Sequence, residues 1–257
     1  MTREDVRPVP RSKILITGAS SGLGAAMARD FAAKGRDLAL CARRLDTLES
    51  LRAELLAAHP DRTIAVRRLD VDDHAAVPRV FAELHAELGG LDRVIVNAGL
   101  GKGARIGSGR APANLATANT NFVGALAQIE AAMEIFLAQR SGHLVLVSSM
   151  SAVRGLPGKK TAYSASKAGL AALGRGLSTE LAHSPIAVTT LLPGFIATDM
   201  AANAGDSRMV APLGKGVAAI VDAIERERAR ACVPTWPWRL IDIVLPYLPD
   251  SLVSRLG

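Results

Sequence analysis

The sequence predicts an α/β chain whose core is one doubly wound parallel sheet covered by helices on both faces. Apolar runs of strand length alternate with longer helical stretches from residue 13 onward, as parallel sheets require. The runs are continuously apolar, the pattern of strands buried on both sides. A glycine-rich turn separates the first run from the first helical stretch, where such sheets hold nucleotides.

Strands are expected at 13–17, 37–41, 63–67, 93–96, 143–147 and 186–192, and helices at 22–34, 46–59, 73–88, 119–140 and 161–183. The first strand holds Ile14-Leu15-Ile16, and the first helix opens on Ala25-Ala26-Met27-Ala28. The second strand runs through Cys41 into Arg43-Arg44, and the third leads to Asp70-Val71. Arg93-Val94-Ile95-Val96 ends at Asn97-Ala98-Gly99, the fifth strand at Ser148-Ser149 and the sixth at Pro193-Gly194. Right-handed crossovers between parallel strands complete the doubly wound sheet, with ligands beyond the carboxyl ends of the strands. All of these polar motifs fall at that end.

At 257 residues, 49% of them apolar, the chain suits one large domain. We divide it into an N-terminal extension (1–12), a catalytic domain (13–235) and an apolar C-terminal segment (236–257) packed on the same domain. The net charge of +7 is interleaved, as in Glu225-Arg226-Glu227-Arg228, which marks a solvated helix face and not a nucleic-acid partner. The N-terminus begins Met1-Thr2-Arg3-Glu4-Asp5 without an apolar signal region, so a cytoplasmic protein is expected. Cys41 and Cys232 suggest neither a disulfide framework nor a zinc site, and the scattered histidines suggest no metal.

Four motifs carry chemistry. Gly18, Ser20, Ser21, Gly22, Leu23 and Gly24 lie in a turn spaced Gly-x-x-x-Gly-x-Gly between strand and helix. Glycines let the backbone approach a pyrophosphate while helix N–H groups face the anion. Asn97-Ala98-Gly99 and Ser148-Ser149 follow buried strands. Tyr163 and Lys167 stand four apart and share one face of a helix. A phenol has an ordinary pKa of about 10. A nearby cation lowers it, giving a group that exchanges a proton with an alcohol or carbonyl oxygen.

In this order the motifs resemble the classical short-chain dehydrogenase/reductase family, from about residue 13 to about residue 198. The resemblance implies a Rossmann-like fold and hydride transfer between a nicotinamide and a carbonyl or carbinol carbon. It makes Tyr163 the general acid or base and has Lys167 lower its pKa and bind the nicotinamide ribose. Ser149 becomes the donor to the substrate oxygen, with Ser148 and Ser151 as runners-up. The Ser149–Tyr163 spacing is one longer than usual, which places an extra residue near Lys159-Lys160. Asn121, rather than Asn119, matches the asparagine that supports a proton-relay water. Asn97, Ala98, Gly99, Pro193, Gly194, Ile196 and Thr198 are implied around the cofactor, and Asp70 and Val71 at its adenine. Arg43 stands where NAD-preferring members carry an acid. With Arg44 it suits a 2′-phosphate, so NADP(H) is expected.

Substrate contacts are expected after Gly99, within 149–160 and after Thr198, with 199–211 as a lid. Lys102, Arg105, Lys159 and Lys160 meet either an anionic substrate or solvent. A membrane span needs about 20 consecutive apolar residues, which Arg239, Asp242, Pro237, Pro246 and Pro249 deny to the C-terminal segment. That segment is left to close a pocket, cover a subunit or lie on a membrane surface. The expected activity is an NADP(H)-dependent reductase or dehydrogenase of a lipophilic ketone or secondary alcohol. The alternatives are reduction of 3-oxoacyl groups on an acidic carrier protein or CoA, and a non-catalytic nucleotide-binding or membrane-surface protein. Helices 119–140 and 161–183 are rich in small apolar residues, and the family pairs them across two-fold axes, so a homodimer or homotetramer is expected.

Overall fold

The computed structural model describes residues 11–198 and 209–254. Seven parallel strands form one sheet in the order β3-β2-β1-β4-β5-β6-β7. Six were expected: β1 (Lys13–Thr17), β2 (Asp37–Ala42), β3 (Ile64–Arg68), β4 (Arg93–Val96), β5 (Gly142–Val147) and β6 (Ile186–Pro193). The chain order reverses at β1, which pairs with β2 on one side and β4 on the other. A crevice therefore opens beyond Thr17 and Val96, at the switch point of the sheet.

Side chains alternate across the sheet. Ile14 and Ile16 join the core beneath α1 (Gly22–Ala33), α2 (Leu45–Ala58) and α7 (Leu213–Glu225). Leu15 joins the opposite core, beneath α3 (Ala76–Leu88), α5 (Gly124–Gln139) and α6 (Thr161–Glu180). At the amino end of the strands, fully buried Arg93 donates to His143 Nδ1 at 2.9 Å and to Glu225 at 2.6 Å. Because Nδ1 accepts, Nε2 carries the imidazole proton and donates to Thr189 Oγ1 at 2.8 Å. Burial, then the charges of Arg93 and Arg11, hold His143 well below its ordinary pKa. This network locks the sheet from the end opposite the crevice.

Three elements differ from expectation. The helix expected at 119–140 begins earlier, as α4 (Ala111–Ala118), with Pro112 in its first turn where a missing N–H costs nothing. A π-helical turn, Asn119–Val123, joins it to α5, and the polar Asn119-Thr120-Asn121 had masked this continuity. The helical stretch Ala111–Gln139 is apolar and long enough to cross a membrane by composition alone, but Ile129, Ala132 and Phe136 are buried in the core. The seventh strand, β7 (Arg230–Val233), and α7 were not anticipated. α8 (Thr235–Val244) follows β7, then a 3-10 turn (Leu245–Tyr247) and α9 (Asp250–Val253).

Candidate active site

The glycine turn packs directly on the residues after β4. A Cβ on Gly24 would lie 2.4 Å from Gly18 O and 2.8 Å from Asn97 Nδ2, so only glycine fits. Asn97 Nδ2 donates to Thr17 O at 2.8 Å. The Thr17 hydroxyl accepts from Asn97 N at 3.0 Å and Ala98 N at 3.1 Å. Thr17, which heads the glycine motif but had no role expected of it, thus clamps the two motifs together. A threonine closing a strand is too ordinary to flag. Ser21 enters α1 without a side-chain cap, and the first turn has no acid. The helix N–H groups are left for an anion, and the turn fits a pyrophosphate.

Arg43 and Arg44 are exposed at the carboxyl end of β2. Arg44 Nη2 donates to Ser20 Oγ at 3.1 Å and Ser20 O at 3.3 Å, which places a guanidinium beside the turn. Asp70 is exposed, and its carboxylate accepts from Asp72 N at 3.2 Å. Val71 is buried, with its carbonyl so close to α5 that a Cβ on Gly124 would lie 2.8 Å from it.

Ser149 is extended (φ −166°, ψ 156°) and heads the 3-10 turn Met150–Ala152. Its Oγ accepts from Ser151 N at 3.1 Å, leaving its proton to point elsewhere. Its side chain also acts on Tyr163, where it opposes the rise that burial gives the phenol. Ser148 is used differently: buried, it donates to the Lys167 backbone carbonyl at 2.8 Å, tying β5 to α6. The structure thus separates two adjacent serines that sequence spacing could only rank.

Lys167 is buried and donates from Nζ to Val147 O at 2.8 Å, and burial pushes its pKa down to about 8. A Cβ on Gly99 would lie 3.5 Å from Nζ and 3.3 Å from Asn121 Oδ1, so ammonium, Asn-Ala-Gly turn and Asn121 meet. The expected lowering of the Tyr163 pKa by Lys167 is corrected here. Burial is the largest influence and raises the phenol above 10, and the opposing influence is the Ser149 hydrogen bond. Desolvation disfavours the phenolate, and Lys167 directs Nζ to a backbone carbonyl.

Asn121 is fully buried in the π turn, a device common at functional positions. Its Oδ1 accepts from Leu100 N at 2.6 Å, and its Nδ2 donates to Leu100 O at 2.9 Å and Ser166 Oγ at 3.3 Å. The side-chain amide is therefore committed to holding the loop after Gly99. A relay role is left to the main chain.

Pro193 ends β6, and Gly194 N donates to Val233 O at 2.9 Å. Ile196 is buried against α7, where a Cβ on Gly216 would lie 2.7 Å from it. It can offer a cofactor only its backbone, which narrows its expected role. Thr198 lies across from Gly22, 3.8 Å from the Cβ position there. The expected lid, 199–211, lies mostly outside the described residues, except that Ala211 bridges Ile196. Trp238 packs against Gly194 and meets Phe195 edge-on at 5.2 Å, in an apolar cluster with Met150 and Leu192. A cavity of about 370 Å³ between α6, β6 and α8, bordered by Arg175, Thr190 and Asp242, touches none of Asn121, Ser149, Tyr163 or Lys167.

A family model described as short chain dehydrogenase matches residues 12–208. An uncharacterized oxidoreductase of Mycobacterium tuberculosis is 58% identical over 249 residues, covering 97% of this chain and 98% of that protein. A Bos taurus dehydrogenase/reductase of the SDR family is 33% identical over 203 residues, 76% of this chain and 61% of its own length. The crystal structure of levodione reductase superposes with a TM-score of 0.81 at 25% identity, covering 89% of this chain and 98% of that one. With the parallel sheet, the glycine turn and the Ser149–Tyr163–Lys167 constellation on the same scaffold, the chain belongs to the short-chain dehydrogenase/reductase family and is an oxidoreductase.

Proposed function

We propose that this protein is an NADP(H)-dependent oxidoreductase that interconverts ketones and secondary alcohols, with preference for lipophilic substrates. The convergence of Ser149, Tyr163 and Lys167 at the end of β5 carries this reading: Lys167 bonds Val147 O and the Ser149 side chain meets the phenol, which brings a proton donor and an oxyanion donor to one point above the crevice. Bound in the crevice, the nicotinamide supplies or accepts the hydride. Tyr163, its phenol raised by burial, is protonated at neutral pH and is poised to give its proton to the oxygen of a carbonyl being reduced. A substrate oxygen placed between Ser149 and Tyr163 would take the Ser149 hydrogen bond that the phenol holds in its absence. The buried Lys167 ammonium holds positive charge beneath the site, and Asn121 fixes the loop above it.

Arg43 and Arg44 support the choice of NADP(H), since they follow β2 at the turn where a carboxylate would bind a ribose 2′-hydroxyl, and no acid stands at that turn. The apolar cluster of Trp238, Phe195 and Met150 beside Ser149 supports a lipophilic substrate. We further place the enzyme in the cytoplasm, which suits its two free cysteines, and assign it a two-fold assembly through α5 and α6. Sedimentation at micromolar concentration tests that assembly, and a monomer alone would overturn it. The activity is tested by incubating the protein with NADPH and ketones of graded size and polarity. Turnover of apolar ketones that is lost in Tyr163→Phe, with NADPH affinity unchanged, is the expected result. No turnover across the panel, or retention of more than about a tenth of kcat in Tyr163→Phe, would overturn it.

A further inference from the structure

α8 is apolar on two sides. At about 100° per residue, Trp238, Ile241 and Leu245 fall on the side facing the fold, and Trp238 and Leu245 are buried. Trp236, at a kink ahead of the regular turns, leads to an opposite side of Leu240, Ile243 and Val244, with Tyr247 in the following turn. These are exposed to 76%, 51%, 59%, 43% and 85%. A helix apolar all round is normally covered, and nothing among the described residues covers this stripe. Aromatic residues stand at both of its ends. Arg239 borders it, exposed and without an ion-pair partner among the described residues.

This stripe adjoins a basic rim. Arg154 Nη1 donates to Pro246 O at 2.6 Å and Nη2 pairs with Asp250, so the C-terminal segment is fastened to the loop 150–160. That loop in turn packs on the loop after β4, where a Cβ on Gly103 would lie 1.9 Å from Lys159 O. The two loops present Lys102, Arg105, Arg110 and Lys159, all exposed. The sequence holds no Asp or Glu between Asp92 and Glu130, nor between Glu134 and Glu180. Cations thus stand along these two loops, and none of these four is in an ion pair among the described residues.

We propose that this face seats on an anionic lipid surface, with the α8 stripe inserted among the acyl chains and the basic rim on the headgroups. Amphipathic helices with bulky aromatic and apolar groups on one face and basic residues beside them bind bilayers in this way. A second copy of the chain fits the surface less well, because a two-fold contact sets each patch against itself. Such a contact offers the rim cations no acidic run in the other copy, since residues 93–129 and 135–179 hold no Asp or Glu. An anionic bilayer accepts both features at once, and the crevice then opens beside the apolar phase. The proposal does not depend on which carbonyl is reduced.

The test is flotation of the full-length protein with vesicles of phosphatidylcholine alone, or of phosphatidylcholine mixed with phosphatidylglycerol. Binding is expected on the mixed vesicles, weak on phosphatidylcholine and reduced by salt. Each rim cation replaced by glutamine, as in Lys102→Gln or Lys159→Gln, should lower partitioning about fivefold. The double variant Leu240→Glu/Ile243→Glu should lose binding altogether. Its circular dichroism and its turnover of a small water-soluble ketone should stay unchanged, so that failure here is distinguishable from failure of the oxidoreductase reading. Three results would overturn the proposal. One is no flotation with the mixed vesicles, and another is equal flotation of the double variant. The third is a wild-type protein that sediments as a larger species than the double variant, showing that a second copy covers the stripe.

Discussion

Ser149→Ala and Ser148→Ala should separate chemistry from stability across one peptide bond. The Ser149 hydroxyl accepts from Ser151 N and turns its proton toward Tyr163, where a substrate oxygen would take it over. Losing one such oxyanion donor typically costs about 10²–10³ in kcat, or ~2.7–4 kcal/mol. Its structural cost is smaller, because Ser151 N is only partly buried and loses one ordinary acceptor, worth about 1 kcal/mol. Ser148 is the converse. It is buried and its 2.8 Å bond to the Lys167 carbonyl holds α6 to β5, so Ser148→Ala should cost about 1–2 kcal/mol. At this chain length that is a Tm lower by about 2–4 °C per kcal/mol, with kcat reduced by less than about tenfold because no reacting atom is touched. Steady-state NADPH oxidation at saturating ketone reads the first effect, and calorimetry reads the second. The assignment fails if Ser149→Ala keeps more than about a tenth of kcat, or if Ser148→Ala loses as much activity as Ser149→Ala.

Lys167, with its pKa pushed down to about 8 by burial, should impose a falling limb on kcat/KM for reduction as pH rises through that value. The phenol, raised above 10, remains protonated there, and a profile flat across this range would show that the ammonium contributes nothing. Arg43→Asp should weaken NADPH and shift preference toward NADH, since it replaces attraction for a 2′-phosphate with repulsion. An unchanged ratio of kcat/KM for the two cofactors would place the phosphate elsewhere. Gly194→Ala would set a methyl group 2.0 Å from the Trp238 ring. Overpacking of this kind costs about 1–3 kcal/mol and should raise KM for apolar ketones more than for small polar ones, whereas equal changes in both would make Trp238 a purely structural group.

The five inner strands were legible because each is buried on both sides and so reads as a largely apolar run, and the edge strand β3 because it opens on Ile64-Ala65-Val66. β7 was not. Arg230-Ala231-Cys232-Val233 lies at the sheet edge and pairs only with β6, so nothing in its composition demands double burial. α7 carried a usable signal, with Val217, Ile220, Val221 and Ile224 repeating at helical spacing along its buried face, but the sequence reading stopped short of it. The order of the motifs named Ser149, Tyr163 and Lys167, and the structure places Ser149 on the phenol. What spacing could not convey is solvation. The i to i+4 separation implied a cation acting on the phenol, whereas the depth of the site makes burial the larger influence on both groups. Asn121 shows the same limit, since its commitment to Leu100 depends on a π turn that no residue pattern announced.

The C-terminal segment was the least legible part, and the reason lies in the edge strand. By adding β7 to the sheet, the chain emerges at the carboxyl end beside Gly194, whose N–H is taken by Val233 O. α8 therefore starts at the mouth of the crevice, and its first buried side chain, Trp238, lands on the one residue whose missing side chain leaves room for an indole. Neither Trp238 nor Gly194 signals the other locally, because their contact exists only once β7 has paired with β6. Among the described residues the buried indole nitrogen has no hydrogen-bond partner, whereas phenylalanine or leucine would fill the same space without a polar atom. The Pro-Gly segment is thus held from behind by a ring that also faces Phe195 and Met150. A change at Trp238, unlike one on the exposed stripe of α8, is carried directly to the backbone that borders the crevice.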